Sequence, residues 1–419
     1  MTFQAPKGTH DILPGESERW NWLEARLRDI LERYGYRELR TPMFEATDLF
    51  VRSVGESTDI VRKELYTFED KGGRSLTLRP EGTAPLVRAY LEHSMGHGQP
   101  MARLYYIGAM FRYERPQAGR FRQFAQVGAE LLGPGAPAAD GEMIDLFVAV
   151  MRGVGLEEPL VLLNSLGDNV CRPAYREKLR EYFTAHADQL CGDCRERLKT
   201  NPLRILDCKV PSCQPVIAGA PTMLDNLCDA CREHFQGVQA VLRALTIPFE
   251  VAPRLVRGLG YYTRTVFELH SGALGAQSAV GGGGRYDLLV EEFGGPSVPA
   301  LGFSIGLERL LLVASAAPAG ARAPDVAVVA RDPGALFEAL ALARELRGAP
   351  GECGLVAVAD VTGRSAGAQM KWVSKMGARY AVFVPPDPDG YSVRNMRQGA
   401  DEPKAKDAAA LRAWLTSRS

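Results

Sequence analysis

The sequence carries no excess of charge: 50 Lys and Arg stand against 50 Asp and Glu, a formal net of zero. Bulk electrostatics therefore gives no reason to expect a polyanionic partner, and any such partner must be met by local basic patches. Long apolar runs are missing too. The longest uncharged apolar stretch, Leu310 to Ala321, is too short to cross a bilayer, and the opening MTFQAPKGTHDILPGE holds no apolar run of signal-peptide type. A cytosolic protein without membrane contact is expected. There is no internal repeat, no low-complexity segment and no recognisable catalytic triad. Four successive glycines, Gly281–Gly284, are not followed by the Lys-Ser or Lys-Thr of a P-loop and lack the spacing of a dinucleotide fingerprint. A tight strand-to-helix turn lining a nucleotide pocket is the reading that remains.

What is present is an ordinary globular composition, 46% hydrophobic and 24% charged, over 419 residues, enough for two or three domains. Trp20, Leu23, Leu27, Ile30 and Leu31 fall at three-and-four spacing, which predicts an amphipathic helix stopped at Gly35. YRELRTPMFEATDLF reads as a strand that Pro42 confines to an edge, a first position or a bulge. Between Leu76 and Leu132, alternating runs predict antiparallel strands with one face on a core, and helices follow at Glu142–Val154 and Ala174–Ala185. A polar, cysteine-bearing stretch then interrupts the pattern, with a helix-like run from Asp225 to Leu245, before strand-like text resumes and a helix ends at Val313. Small residues with Pro and Gly at Ala314–Pro324 mark a linker, after which strand and helix alternate as in a small α/β domain. The expected architecture is an α+β domain built on an antiparallel sheet (1–165 and 246–316), split by an inserted subdomain (166–245) and followed by a C-terminal α/β domain (325–419).

Chemistry concentrates in a few places. Arg112, Arg115, Arg120 and Arg122 straddle a Pro-Gly loop, where planar guanidinium forks suit a triphosphate or an RNA backbone; the alternative is a solvated hairpin. Gln126 and Glu130 share one strand face, and Glu81 and Thr83 follow another strand. Together they could hold an ammonium group and a polar side chain, although singly each reads as a surface residue or helix cap. Arg257, Tyr261, Tyr262 and Arg264 surround two glycines whose turn admits close backbone approach, and Arg309 lies in an otherwise apolar helix where it needs an anion. Seven of the eight cysteines fall between Cys171 and Cys231, with Cys353 alone. In a cytosolic chain the pairs Cys191/Cys194 and Cys228/Cys231 suit one closed tetrahedral zinc site of structural kind; cysteines without a metal role are the other reading.

Six segments in order, KGTHDILP, LRTPMFE, LTLRPEGTAP, FRYERPQAGRFRQFAQ, LVRGLGYYTRTVFE and GFSIGLERLLL, give the chain a resemblance to bacterial histidyl-tRNA synthetases, a family of class II aminoacyl-tRNA synthetases. They resemble that family's opening segment, motif 1, histidine loop, motif 2, histidine signature and motif 3. The resemblance covers essentially the whole length. It implies a class II catalytic domain, a homodimer built around motif 1, and a C-terminal domain that binds the anticodon. It also implies L-histidine, ATP with Mg2+, and tRNA(His) as substrates and partners. Residue by residue it implies Arg112, Arg257 and Arg309 as catalytic cations. Glu81, Gly82, Thr83, Gln126, Glu130, Tyr261 and Tyr262 would bind histidine, while Arg112, Glu114, Arg120 and Arg309 would bind ATP. The loop from Arg115 to Gly119 would meet the tRNA acceptor end. Two positions depart from the pattern, Ala125 in place of a usual histidine and Gly260 in place of a usual aspartate. A catalytically inactive regulatory subunit of ATP phosphoribosyltransferase shares the fold but should lack the C-terminal domain. Another class II synthetase conflicts with LVRGLGYY.

Overall fold

Apolar side chains at three-and-four spacing make the first helix. α1 (Ser17–Arg33) buries Trp20, Leu23, Leu27, Ile30 and Leu31, and Gly35, at φ 78°, follows its end. The computed structural model describes every residue except 1–2, 56–57, 59, 116–118, 157–158, 271–278, 316, 318–321, 350–353 and 419. Cys353, part of the Ala314–Pro324 linker and the middle of the Arg115–Gly119 loop therefore lie outside the described residues.

After α1 come β1 (Arg37–Glu38), β2 (Phe44–Ala46), α2 (Thr47–Val54), β3 (Tyr66–Glu69), β4 (Ser75–Leu78), α3 (Thr83–Glu92), β5 (Ala102–Phe111), β6 (Gln123–Leu132) and α4 (Pro137–Gly153). β7 (Leu160–Ser165) leads into four helices, α5 (Arg172–Ala185), α6 (Gly192–Thr200), α7 (Gln214–Gly219) and α8 (Asp229–Ala244). The chain returns through β8 (Phe249–Val251), β9 (Thr263–His270), β10 (Ala279–Arg285), α9 (Leu289–Glu292), β11 (Ala300–Gly306) and α10 (Leu307–Val313). These elements belong to one compact unit, Met1–Ala319.

Eight strands in the order β1-β5-β6-β11-β10-β9-β7-β8 form its main sheet, antiparallel through the middle and parallel at the β1/β5 and β7/β8 edges. One face is the hydrophobic core. Val127, Ala129 and Leu131 of β6 and Leu301, Phe303 and Ile305 of β11 pack there with α1 and α4. Each of these side chains larger than alanine contributes about 1.5–3 kcal/mol when fully buried. The opposite face carries Gln126, Gly128 and Glu130 of β6 and Gly302 of β11. A fully buried Arg285, 2.6 Å from Asp140 of α4, ties β10 to the helical layer, and His234 of α8 meets the same carboxylate at 3.2 Å.

Two expectations need correction here. The run through Pro42 is not one strand: β1 joins the main sheet, β2 belongs to a separate β2-β4-β3 sheet, and the run's last residues open α2. Proline has no N–H for a ladder, so the chain changes sheets across it. Gly281–Gly284 form no strand-to-helix turn but the middle of β10, paired on both sides with β9 and β11. Their missing side chains open space on the sheet: a Cβ at Gly282 would stand 2.5 Å from Nη1 of Arg257.

The second unit, Gly320–Ser419, contains β12 (Val326–Ala330), α11 (Leu336–Arg347), β13 (Ala357–Ala359), α12 (Ala366–Met376), β14 (Tyr380–Val384), β15 (Tyr391–Asn395), β16 (Ala400–Ala405) and α13 (Ala408–Thr416). Its sheet order is β13-β12-β14-β15-β16, parallel among the first three strands and antiparallel beyond them. α11 and α13 cover one face and α12 the other. Gly377, left-handed at φ 70°, ends α12, and Arg379 just beyond it faces Asp325 at 3.8 Å. Among the described residues no helix is long and apolar enough to cross a membrane.

Candidate active site

Glu81 lies just before α3 and accepts the N–H groups of Thr83 and Ala84 at 2.6 and 2.9 Å, satisfying donors that the first helical turn leaves open. This fixes Gly82 and Thr83 at the helix mouth. The Thr83 hydroxyl then donates to Oε1 of Glu130 at 2.7 Å, and the Tyr286 hydroxyl donates to Oε2 at 2.5 Å. Glu130 is thus a buried carboxyl, 1% exposed, gripped on both oxygens. Burial pushes it up to about 8; the two hydroxyls oppose that rise and nearby Glu81 adds to it. Burial also raises Glu81, against the two backbone donors and Arg112.

Gly302 faces Glu130 in the β6/β11 register, and a Cβ there would come within 1.7 Å of Oε2. Only glycine leaves the carboxyl its place. Tyr261 and Tyr262 are buried with ring centroids 4.8 Å apart, and Tyr261 meets Tyr286 edge-on at 5.6 Å. Gln126 is 7% exposed, and its Oε1 accepts no hydrogen bond among the described residues. An unsatisfied buried acceptor of this kind calls for a donor from a ligand or water.

From this buried end a row of cations leads outward. Arg112, close enough to Glu81 to act on its ionisation, is oriented by its Nε donating to the Pro80 carbonyl at 2.8 Å. Glu114 stands between Arg112 and Arg120, at 3.8 and 3.7 Å. Arg309 of α10 is half-buried; burial and then the charge of Arg120 lower its pKa, so these two guanidiniums share one region. Next to it Glu308, pushed up to about 7 by burial, accepts the Ala125 N–H at 2.9 Å. Arg257 lies on the β9/β10 side, paired with Glu268 at 2.6 Å and 5.5 Å from the Tyr262 ring. It lines a cavity with Arg172, Arg176, Arg204 and Tyr262. Gly260 donates its N–H to the Val54 carbonyl at 3.0 Å, and a Cβ there would stand 2.9 Å from that oxygen, so a larger residue requires the backbone to shift.

The structure therefore joins Glu81, Gly82, Thr83, Glu130, Tyr261 and Tyr262 in one contact network. Arg112, Glu114, Arg120 and Arg309 adjoin it. Sequence reasoning missed Tyr286, although it directly follows the glycine run and Arg285. It also missed Arg172, whose guanidinium donates to the Tyr262 carbonyl at 2.6 Å. Arg264 departs further from expectation: it holds φ 46°, a left-handed value that costs a non-glycine residue energy, and its backbone pairs with Leu166 and Gly167.

The expected four-cysteine metal set does not form. Cys191 and Cys194 converge with Cys208 and Cys213, whereas Cys228 and Cys231 converge with Cys171 and Asp168. The two Cys-x-x-Cys pairs sit on the first turns of different helices, α6 and α8, and the fold sends those turns to different partners. No cluster of three metal-ligating groups lies in the cleft among the described residues, so the cleft's own side chains do not form a cage for Mg2+.

Residues 8–310 match the family described as histidyl-tRNA synthetase. The histidine–tRNA ligase of Desulfitobacterium hafniense is 50% identical over 387 residues, 92% of this chain and 90% of the relative. That of Halothermothrix orenii is 49% identical over 408 residues, 95% of this chain and 96% of the relative. The crystal structure of apo S. aureus histidyl-tRNA synthetase superposes with a TM-score of 0.80 at 35% identity, covering 99% of this chain and all of the other. A match running through both halves of the main sheet, with half the aligned residues identical, places the chain in the histidyl-tRNA synthetase family of class II aminoacyl-tRNA synthetases.

Proposed function

We propose that the cleft activates L-histidine with ATP and transfers it to the terminal adenosine of tRNA(His), the reaction of a histidine–tRNA ligase. The observation that carries this reading is the buried Glu130, held by Thr83 and Tyr286 at the closed end of a cleft whose approach is lined by Arg112, Arg120 and Arg309. An acidic floor with Glu81 and the open acceptor of Gln126 suits a small polar cation. The arginines suit a triphosphate, because guanidinium forks pair bidentately with phosphate oxygens.

In the first step the histidine carboxylate attacks the α-phosphorus of ATP in line, forming the aminoacyl adenylate and releasing pyrophosphate. No protein nucleophile is needed. Charge builds on phosphoryl oxygens, and fixed cations placed there before the reaction lower its barrier. Arg112 is assigned to the α-phosphate and Arg309 to the γ-phosphate end. Arg257 is assigned to the neighbourhood of the reacting phosphate and Glu114 to the adenine. Bound to the nucleotide, Mg2+ would add positive charge at the phosphate oxygens beside Arg112 and Arg309. In the second step the adenosine hydroxyl of the tRNA attacks the adenylate carbonyl, and AMP leaves.

Selectivity follows from desolvation: a pocket built to hydrogen-bond an imidazole leaves buried polar groups unpaired when an analogue lacks them. An exchange assay between ATP and pyrophosphate with each of the twenty amino acids tests the reading. Histidine alone should support exchange. Activity with another amino acid would reassign the pocket, and no activity would favour a regulatory role.

Two further assignments belong to the same reading. The unit Gly320–Ser419, with 14 Lys and Arg against 11 Asp and Glu, is the anticodon-binding domain. Loss of aminoacylation with retention of exchange after its removal is the expected outcome. The chain is a cytoplasmic homodimer: Met43, Phe44 and Phe68 expose apolar surface around the β2-β4-β3 sheet, and the Phe44 and Phe68 rings lie 6.4 Å apart as one patch. Sedimentation should give twice the chain mass.

A further inference from the structure

The helical insert between β7 and β8 gathers two groups of metal-ligating side chains. In the first, the Sγ atoms of Cys191, Cys194, Cys208 and Cys213 all lie within 4.8 Å of one another, with Cys191 and Cys208 at 3.9 Å. A tetrahedral zinc ion with bonds of about 2.3 Å holds its sulfurs about 3.8 Å apart. A disulfide would need about 2.05 Å, and all seven described cysteines are free. The spacing agrees: Cys191 and Cys194 are separated by two residues and Cys208 and Cys213 by four, within the two-to-four range of structural zinc ligands.

The second group has the same grammar with one substitution. Asp168-x-x-Cys171 and Cys228-x-x-Cys231 bring one carboxylate and three thiols within the same limit, Oδ1 of Asp168 lying 3.5 Å from Cys171 Sγ and 3.9 Å from Cys228 Sγ. Backbone N–H groups point at sulfur in both: Cys191 N–H to Cys213 at 3.2 Å, Val210 N–H to Cys208 at 3.4 Å, and Asp168 N–H to Cys171 at 3.4 Å. Such donors favour thiolate and orient ligands. Cys171, Cys191 and Cys228 are also the N-caps of α5, α6 and α8, where the helix dipole favours negative charge.

The bland alternative is that cysteine merely serves as a small apolar core residue. That explains burial of one thiol, not the sorting of eight ligands into two compact foursomes from four short pairs. A physical need exists as well. The insert has its own small core, of which five buried cysteines are part, and short helices around so small a core gain from a staple.

We propose that Cys191, Cys194, Cys208 and Cys213 form one tetrahedral zinc site, and Asp168, Cys171, Cys228 and Cys231 a second, separate one. The first cross-links the interior of the insert. The second clasps its base, joining the segment that leaves β7 to the start of α8. Metal entry displaces the thiol protons to solvent, so no oxidant is involved. The base site also has a line to the cleft. Asp168 meets Arg264 at 3.5 Å, and Arg172, next in sequence to Cys171, holds the Tyr262 carbonyl.

The test is a metal count on the purified full-length chain, by elemental analysis after dialysis and again by titrating the metal-stripped protein with Co2+. Wild type should carry two zinc equivalents, and Cys194→Ser and Cys231→Ser one each. The Co2+ form of Cys194→Ser should show weaker thiolate charge transfer than that of Cys231→Ser, because only three sulfurs remain in its site. Asp168→Cys should keep both equivalents. A wild-type count of one or zero overturns the proposal, and so does loss of both equivalents in a single variant that keeps the wild-type circular dichroism. These readings do not depend on synthetase activity.

Discussion

The inner and outer ends of the cleft are built on opposite principles. At the inner end Glu81 and Glu130 are 3% and 1% exposed, and protein donors already occupy their oxygens. At the outer end the Arg112 and Arg120 side chains are 19% and 47% exposed; their ion-pair contacts to Glu114 are long, and Arg112 is oriented by the Pro80 carbonyl. Burial shifts the ionisation of the inner end, while the outer end is open to an anion from solvent. A small selected substrate belongs where shape and hydrogen bonds are fixed beforehand. A flexible, highly charged one belongs where solvent can be displaced late.

The largest effect should come from the inner end. Glu130→Ala should lower kcat/KM for histidine in the exchange assay on the order of 10³-fold, since it removes the carboxyl and leaves Thr83 and Tyr286 without their acceptor. Circular dichroism should remain that of wild type; near-normal exchange would remove Glu130 from the site. Arg112→Ala should cost on the order of 10²-fold, chiefly in kcat, as expected for a cation that strengthens its contact as phosphoryl charge develops. A change confined to KM for ATP would make Arg112 a binding group only.

The third effect is one of pH. Glu130 titrates near 8 when folded, against about 4.3 for an exposed glutamate, so the native state binds the extra proton between those values. Stability of the ligand-free protein should therefore fall as pH rises through that window, and Glu130→Gln, which cannot titrate, should flatten the decline in Tm. Unchanged slopes would mean that Glu130 is ionised throughout. The smallest effect belongs to the most open cation. Arg120→Ala should alter exchange by less than about 10-fold and leave Tm within error, because an exposed ion pair contributes little. A loss equal to that of Arg112→Ala would erase the distinction between the two ends.

Legibility followed the range of the interaction. α1 could be read from its apolar spacing, a local response to one core face, and β6 from the alternation of its polar and apolar residues, although the folded strand is buried on both faces from Gln126 to Leu132. The resemblance of their segments to family motifs points to Glu130, Thr83 and Arg112, and the structure brings Thr83 and Glu130 into contact. Tyr286 could not be read this way, because its hydroxyl reaches Glu130 across 156 positions of sequence. The glycine run misled for a related reason: read alone it looks like a turn, and only the flanking strands β9 and β11 make it the middle of a sheet.

The cysteines show the boundary most plainly. By itself the sequence determined the two Cys-x-x-Cys pairs, Cys191/Cys194 and Cys228/Cys231, and their spacing, because these depend on neighbours along the chain. Only the tertiary structure decided which pairs meet, sending Cys191 and Cys194 to Cys208 and Cys213, and Cys228 and Cys231 to Asp168 and Cys171. Partner choice among distant side chains is set by how helices pack, and spacing along the chain carries no information about that.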